Sequence, residues 1–319
     1  MAARVPDQVR LVRRTIVAAE AALRRRWSVL RYQDALGLAF WIVALGAMAG
    51  TALLYLNGLM PAVLAIVVNA LAASVLHELE HDLIHNLYFR HAPWVQNLMF
   101  TGAWLGKTSL NPWNRRELHL RHHRVSGQHG DVEERLIGLG EKRLWLRILT
   151  SFLPLLAVVA YLPRTMRAAV DWRPLAPGLF TLARWRQRLD VAFGVAPIVL
   201  AILALQGRTW AMSVLVLLVL PNLVRHGSLA LLSSYTHYYG DIPEHDVTVQ
   251  NQILRHPLLW PLQIFCWNFG ATHILHHYYV PQPFFIRHLV RREAWQALES
   301  IGTRVNDAGI VKRANRYTI

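Results

Sequence analysis

Histidines recur in this sequence at spacings that place them on one face of a helix. They form three clusters: His77, His81 and His85; His119, His122 and His123; and His273, His276 and His277. Because the members of each cluster are three or four positions apart, their imidazole nitrogens can converge on one point. Imidazole is a common ligand of iron, zinc and copper. The clusters therefore predict a histidine-rich metal centre.

The composition favours a membrane protein. Hydrophobic residues make up 54% of the 319 residues, and the formal net charge is +15. Long uncharged segments separate the basic stretches, as the positive-inside rule produces, so the charge does not indicate a nucleic-acid-binding surface. The single cysteine, Cys266, excludes an intramolecular disulfide and a thiolate metal cluster. The N-terminus does not read as a secretory signal, since several arginines precede an apolar run that is too long.

Four apolar segments are long enough to cross a bilayer, which requires about 20 helical residues. They are 35–56, 60–76, 189–206 and 209–224, and the second and fourth are expected to continue as helices through residues 85 and 239. As helices, 60–85 and 210–237 would measure about 39 Å and about 42 Å, so their ends should project beyond the hydrocarbon core. Both pairs start and end on the arginine-rich side, which predicts that every histidine cluster lies on the cytoplasmic side. Pro221 is expected to kink the fourth helix.

The remaining segments complete an all-α integral membrane fold with four transmembrane helices and a cytoplasmic helical cap. Residues 1–34 read as a basic amphipathic helix on the membrane surface, 35–290 as the membrane domain, and 291–319 as a polar tail. Three further apolar segments, 93–106, 148–162 and 257–270, are too short to span the bilayer. We interpret them as re-entrant or interfacial.

The histidine clusters resemble the three histidine boxes of the membrane fatty acid desaturases and their hydroxylase relatives. The matching stretches are His81 to His85, with Phe89 after it; His119 to His123, followed by Ser126 and Gly127; and Asn268 with His273 to His277, followed by Pro281 and Pro283. The order of the boxes, their separation and the four-span layout also agree with this family. The resemblance covers roughly residues 35–290.

The resemblance implies two iron ions, with O2 as co-substrate, held by the histidines of the boxes and by one more on the helix before the third box. The implied ligands are His81, His85, His119, His122, His123, His237, His273, His276 and His277. His226 is a weaker choice than His237 for the additional ligand. His77 either supports the site from one turn away or replaces a ligand by pairing with His81, as in the related alkane hydroxylases.

Metal-bound imidazoles usually donate their second N–H to a carboxylate or a carbonyl. Asp82, Asp131, Asn268 and His77 are the candidates for such supporting contacts. Glu133 and Glu134 fit that role and the role of exposed acids equally well. The remaining histidines lack the spacing and read as structural or surface residues: His91, His129, His245, His256 and His288.

The implied activity is O2-dependent desaturation of a fatty acyl chain. Hydroxylation of a fatty acyl chain, an alkane or another lipid by the same site is the alternative. The sequence contains no dinucleotide-binding glycine motif and no cysteine set for an iron–sulfur cluster. We therefore expect an external electron donor of the ferredoxin or cytochrome type. We expect the protein in the bacterial inner membrane, with its active site facing the cytoplasm. The expected substrate is a lipid, and no nucleic-acid partner is expected.

Two other classes of protein share parts of this pattern. His77, Glu78 and His81 match the HExxH motif of zinc proteases, at the end of an apolar helix. That interpretation leaves the other two clusters unexplained. A metal transporter would place its ligands inside the spans, along a path. Here the histidines lie at the ends of the spans, as expected for an enzyme site.

Overall fold

Helices form most of the chain in the computed structural model, which describes residues 5–154, 161 and 184–317. The described helices are α1 Val5–Arg26, α2 Gln33–Leu56, α3 Ala62–Ile84, α4 Pro93–Lys107, α5 Pro112–Val125, α6 Val132–Gly138, α7 Leu144–Phe152, α8 Arg184–Leu205, α9 Thr209–Thr236, α10 Val247–Gln250, α11 Trp260–Ile264, α12 Phe269–Tyr278, α13 Phe284–Leu289, α14 Arg291–Ser300 and α15 Ile310–Arg313. Two short 3-10 turns cover Ser28–Arg31 and Pro257–Leu259. Within these ranges there is no strand, only isolated bridges such as His237 with Asn251.

Four of these helices are long and apolar enough to cross a membrane. They are α2, α3, the Arg188–Leu205 part of α8, and α9. The start of α3 follows from local sequence. Asn57 and Gly58 make the turn before it, with Gly58 at φ +71°, and Pro61 is its N-cap. Pro fits there because the first helical N–H groups have no partner within the helix. The predicted all-helical fold with four spans is confirmed.

The fourth span, α9, changes its winding where Pro221 was expected to disturb it. Residues Leu215–Val219 form a π-helical turn that ends two residues before the proline. Pro221 has no N–H to donate to the carbonyl of Leu217, so that oxygen is left without its usual partner. The side chain of Asn69 on α3 donates to it at 2.7 Å. One buried amide therefore both satisfies the freed carbonyl and ties α3 to α9.

The shorter apolar segments pack against the spans. Residues 93–106 fall in α4, which begins at Pro93 and contacts α2 and α3; Trp41 Nε1 donates to the carbonyl of Met99 at 3.0 Å. Residues 257–270 divide into a 3-10 turn, α11 and the start of α12. Most of the predicted interfacial segment 148–162 lies outside the described residues, with α7 ending at Phe152.

The N-terminal helix α1 packs on the part of the chain that holds the third histidine cluster. Val12 and Ile16 are fully buried in a hydrophobic cluster with Ile274 of α12 and Leu298 of α14. The apolar stripe that we assigned to the membrane surface is thus partly covered by the protein itself. This packing fixes the position of α12, and so of three histidines.

Candidate metal centre

The three histidine clusters reach the site on three helices whose ends are well defined. Helix α5 is capped by Asn111, whose side chain accepts a hydrogen bond from the N–H of Asn114 at 2.9 Å, and Pro112 is the first helical residue. Such a cap fixes the start of a helix and the direction in which its side chains point. Helix α12 begins at Phe269, and its N-cap Asn268 has a left-handed backbone with φ +60°. Helix α3 ends at Ile84, with His85 as its C-cap.

These elements bring all nine implied ligands into two groups. The five-histidine group contains His81, His85, His119, His123 and His276; the four-histidine group contains His122, His237, His273 and His277. Within each group, one nitrogen from every imidazole lies within 4.8 Å of the corresponding nitrogens of the others. Both groups draw on α5 and α12, because alternate members of the two HxxHH patterns face opposite sides of the site.

In the five-histidine group the Nε2 atoms face one another. His276 Nε2 lies 3.0 Å from that of His85 and 2.9 Å from that of His123. His123 Nε2 lies 3.1 Å from that of His119. The ring of His81 packs against that of His276, with centroids 4.3 Å apart, and neither of its nitrogens has a hydrogen-bond partner among the described residues.

The four-histidine group has the same arrangement. His277 Nε2 lies 3.0 Å from that of His273 and 3.4 Å from that of His122. The ring of His237 lies 5.0 Å from the ring centroids of both His122 and His273. His237 is the first residue after α9, and its side chain is fully buried.

In three of these rings the other nitrogen, Nδ1, lies against a hydrogen-bond acceptor. His119 Nδ1 lies 2.7 Å from Glu133 Oε2, and His122 Nδ1 lies 2.9 Å from Asp131 Oδ2. His237 Nδ1 lies 3.1 Å from the carbonyl oxygen of its helix neighbour Ser233. These oxygens can only accept, so the Nδ1 atoms carry the protons in the neutral rings.

This tautomer leaves a lone pair on each of the corresponding Nε2 atoms, directed into the groups. Lone pairs that face one another repel, unless a cation lies between them. The buried Nε2 of His237 has no hydrogen-bond partner among the described residues. A set of four or five neutral nitrogen donors with carboxylates behind them suits iron, zinc or copper. The residues present therefore fit one metal ion in each group.

Burial keeps most of these imidazoles neutral. It lowers the pKa of His85 to about 3. Burial, reinforced by the neighbouring imidazoles, holds the pKa of five more rings well below the usual range: His119, His123, His273, His276 and His277. Burial also lowers the pKa of His237, although Glu134 opposes it. The neutral ring is the form that can bind a metal ion.

His122 departs from this trend. Burial would lower its pKa, but the buried Asp131 carboxylate outweighs that effect, with its hydrogen bond and the charges of Glu133 and Glu134 adding to it, and raises the pKa to about 9. The same negative charge would stabilise a metal cation at this ring. Asp131 therefore lies where a supporting carboxylate is needed.

A chain of buried charges connects the five-histidine group to the membrane helices. Lys107 Nζ lies 2.6 Å from Glu80 Oε2, and Arg115 NH1 lies 2.8 Å from Glu80 Oε1. Arg115 Nε then lies 3.6 Å from Glu133 Oε1, the carboxylate that holds His119. Contacts of this kind fix the orientation of a ligand.

The site is more open on one side than on the other. His85, His123 and His277 are half-buried, whereas the other six members of the two groups are buried. The half-buried rings come from both groups, and those of His123 and His277 lie 4.7 Å apart. The two groups thus adjoin one another at a shared, partly accessible face.

The other residues proposed to support the site differ in their positions. Asp82 lies 3.7 Å from His81 Nδ1, but its closer partners are the hydroxyl of Tyr88, the N–H of Phe284 and Arg287, at 2.8, 2.9 and 3.1 Å. It mainly joins α3 to α13.

Asn268 acts through its backbone. Its carbonyl accepts from the N–H of Thr272 at 3.1 Å at the start of α12, and no hydrogen bond joins its side chain to a histidine in the described parts of the chain.

His77 lies outside both groups. Its ring faces Arg115 and Arg225, with Arg115 NH2 3.2 Å from Nε2 and Arg225 NH1 3.3 Å from Nδ1. Two guanidinium groups at one imidazole disfavour a metal cation there, so the geometry does not support an HExxH zinc site with His81. His226 also belongs to neither group.

Several contacts at the site were not predicted or were left open. Glu133 holds His119, and Glu134 accepts hydrogen bonds from Ser233 at 2.8 Å and from the hydroxyl of Tyr239 at 2.7 Å, while its carboxylate lies 3.6 Å from His237 Nδ1. Their position two and three residues after Asp131 was the available signal. The connection to Glu80 depends on contacts between helices that the spacing along the chain does not indicate.

Comparison with known proteins agrees with this geometry. A model of the fatty acid desaturase family matches residues 57–309, which is most of the chain and includes all nine histidines. A search of curated proteins found no match. The family is iron-dependent, and its members carry out desaturase- or hydroxylase-type reactions on fatty acids. With two histidine groups at the ends of apolar spans, this chain belongs to the fatty acid desaturase family.

Proposed function

We propose that this protein is an O2-dependent desaturase of fatty acyl chains, with one iron ion in each histidine group. The observation that supports this best is the division of nine histidines into two adjoining groups whose Nε2 atoms converge. When bound, the iron supplies the oxidising power needed to remove hydrogen from an unactivated C–H bond, which no side chain can do alone. Hydroxylation by the same site is the alternative.

The protein's own residues hold the site in place. Glu133, Asp131 and the Ser233 carbonyl fix the protons on Nδ1 of His119, His122 and His237, so that Nε2 remains available to the metal. The buried rings exclude water from most of the site, while the half-buried ones leave a side for O2 and substrate. The acyl chain would reach the site from the bilayer, in which the apolar surfaces of the four spans are also immersed.

The electrons for O2 reduction would come from a separate carrier of the ferredoxin or cytochrome type. The sequence has one cysteine, which cannot hold an iron–sulfur cluster. The net charge of +15 would attract an acidic carrier. We place the protein in a bacterial inner membrane with the site on the cytoplasmic side, because the arginine-rich segments border that end of the spans.

The test is expression with a reductase and electron carrier, followed by mass spectrometry of the host lipids and measurement of iron in the purified protein. Loss of two hydrogens from an acyl chain indicates desaturation, and gain of one oxygen indicates hydroxylation. His276→Ala should abolish the change, whereas His256→Ala, at an exposed histidine outside both groups, should not. Unchanged lipids together with iron-free protein would refute the proposal.

A further inference from the structure

Three basic side chains converge one helical turn to the membrane side of the five-histidine group. Lys107 of α4, Arg115 of α5 and Arg225 of α9 surround His77 and Glu80 of α3. Lys107 and Arg225 are 1% and 2% exposed, and Glu80 is fully buried. We call these five residues the inner cationic cluster. Ionisable residues buried among membrane helices are expensive and usually functional.

The positive charges of this cluster outnumber the negative ones. Glu80 pairs with both Lys107 and Arg115, and Arg115 also approaches Glu133 at 3.6 Å. Arg225 has no ion pair with a carboxylate in the described parts of the chain. Glu78 also acts on Lys107 and Arg115 through its charge, so the cation left without a carboxylate partner among the described residues is Arg225. A buried charge without a counter-ion is strongly unfavourable.

The hydrogen bonds show the same imbalance. Both ring nitrogens of His77 face guanidinium groups, which can only donate: Arg115 NH2 lies 3.2 Å from Nε2, and Arg225 NH1 lies 3.3 Å from Nδ1. A neutral imidazole can accept at only one nitrogen. At the other nitrogen an N–H faces an N–H. Arg115 has Glu80 as a second acceptor at 2.8 Å, whereas Arg225 has no acceptor besides His77 among the described residues. Arg225 Nε also has no partner among the described residues.

Two buried hydroxyl groups lie near these residues along their helices. Ser74 precedes His77 by three residues on α3, and Ser228 follows Arg225 by three residues on α9. Positions three apart share a helical face. Neither hydroxyl has a hydrogen-bond partner in the described structure. Both could donate to a ligand that accepts hydrogen bonds.

We propose that the inner cationic cluster binds a small monovalent anion, a carboxylate or a halide, between Arg225, Lys107 and His77. Such a ligand supplies the missing negative charge and the missing acceptor together. Burial of the surrounding side chains restricts the site to a small group, and the one guanidinium without a carboxylate partner matches a monovalent anion. The anion is either a free ion or the acid group of a fatty acid substrate.

If the anion is the acid group of a fatty acid substrate, which rests on the proposed function, the site also determines which part of the acyl chain is oxidised. His77 precedes the implied ligand His81 by one turn, about 5.4 Å along the helix. A substrate carboxylate bound here would place the first carbons of the acyl chain beside the five-histidine group. The oxidised position would then lie close to the acid end.

The test is a thermal unfolding titration of the purified full-length protein in detergent with sodium formate or sodium bromide. Sodium gluconate, whose polyol chain is too bulky for an enclosed site, keeps the ionic strength constant. We expect a saturable rise in the unfolding temperature for the unmodified protein. In Arg225→Gln the half-saturating concentration should rise at least about tenfold. Arg208→Gln, at an exposed arginine in the turn before α9, should behave like the unmodified protein.

If Arg225→Gln does not fold, Lys107→Met provides the same comparison at the opposite side of the cluster. No saturable response to either anion in the unmodified protein would overturn the proposal, as would equal responses in the variants and the unmodified protein. The titration requires neither turnover nor a particular metal, so its failure is distinguishable from failure of the proposed enzymatic function.

A competition experiment separates the two sources. A medium-chain fatty acid is added to the formate titration, with its methyl ester as the control. If the acid shifts the formate curve and the ester does not, the site takes the acid group of the substrate. If neither shifts the curve, the bound anion is a free ion.

Discussion

Replacement of Asp131 by asparagine should weaken metal binding in one histidine group and spare the other. Asp131 is fully buried, and its Oδ2 accepts from His122 Nδ1 at 2.9 Å and from the N–H of Gly127 at 3.0 Å. Its Oδ1 accepts from the N–H of Glu134 at 3.3 Å, as the N-cap of α6. Asparagine has one acceptor oxygen and one donor amide group. In either orientation, at least one buried donor then faces another donor.

The expected size of the effect follows from these contacts. Leaving a buried donor without an acceptor costs about 1–3 kcal/mol of folding free energy. Loss of the partner behind a metal-bound histidine weakens metal affinity by about 10- to 100-fold. Among the described histidines, Asp131 contacts only His122, which belongs to the four-histidine group. The loss of affinity should therefore fall on one ion.

The assay is iron content per chain after equilibration with a series of chelator concentrations. The unmodified protein should lose both ions at high chelator concentration. Asp131→Asn should lose one ion at a roughly 10- to 100-fold lower concentration and keep the other as before. Glu117→Gln is the matched control, since Glu117 is an exposed carboxylate on α5, the same helix as His122. Unfolding of the metal-free proteins measures the structural cost separately.

A change at Glu133 should have the reciprocal effect. Glu133→Gln should weaken the ion of the five-histidine group, because Glu133 holds His119 at 2.7 Å. Equal loss of both ions in Asp131→Asn, or unchanged affinity in both variants, would show that these carboxylates do not support separate groups.

Three other outcomes follow from the structure. His237→Ala should remove the ion of the four-histidine group, while His226→Ala should retain both ions by the same iron measurement, because only His237 belongs to a group. Gly227→Ala should lower the free energy of unfolding by about 1–3 kcal/mol, since the new methyl group would overlap the ring of Phe152. Gly46→Ala is the control and should not lower the free energy of unfolding, because no atom lies within 4 Å of the new methyl group. Removal of the metal with a chelator should abolish activity and lower the unfolding temperature, because a ligand at about 100 times its Kd stabilises the folded state by about 2.7 kcal/mol; an unchanged unfolding temperature would contradict a metal in the buried groups.

The spans could be predicted from the sequence because a membrane imposes a simple length requirement. Apolar runs, Pro61 and the turn at Gly58 determine where α2 and α3 begin and end, and these are local properties. Pro221 indicated a disturbance in α9 for the same reason. The sequence did not indicate that Asn69 would satisfy the carbonyl of Leu217, since the two residues are 148 positions apart.

The sequence by itself determined which histidines share a helical face, because a spacing of three or four residues is sufficient for that. Tertiary structure alone decided how the faces meet: adjacent residues such as His122 and His123 belong to different groups, since neighbouring side chains on a helix point in directions about 100° apart. It also excluded His77 from both groups, by placing the side chains of Arg115 and Arg225 against its ring. Contacts between distant segments depend on how the helices pack, and a pattern along one helix contains no information about its neighbours.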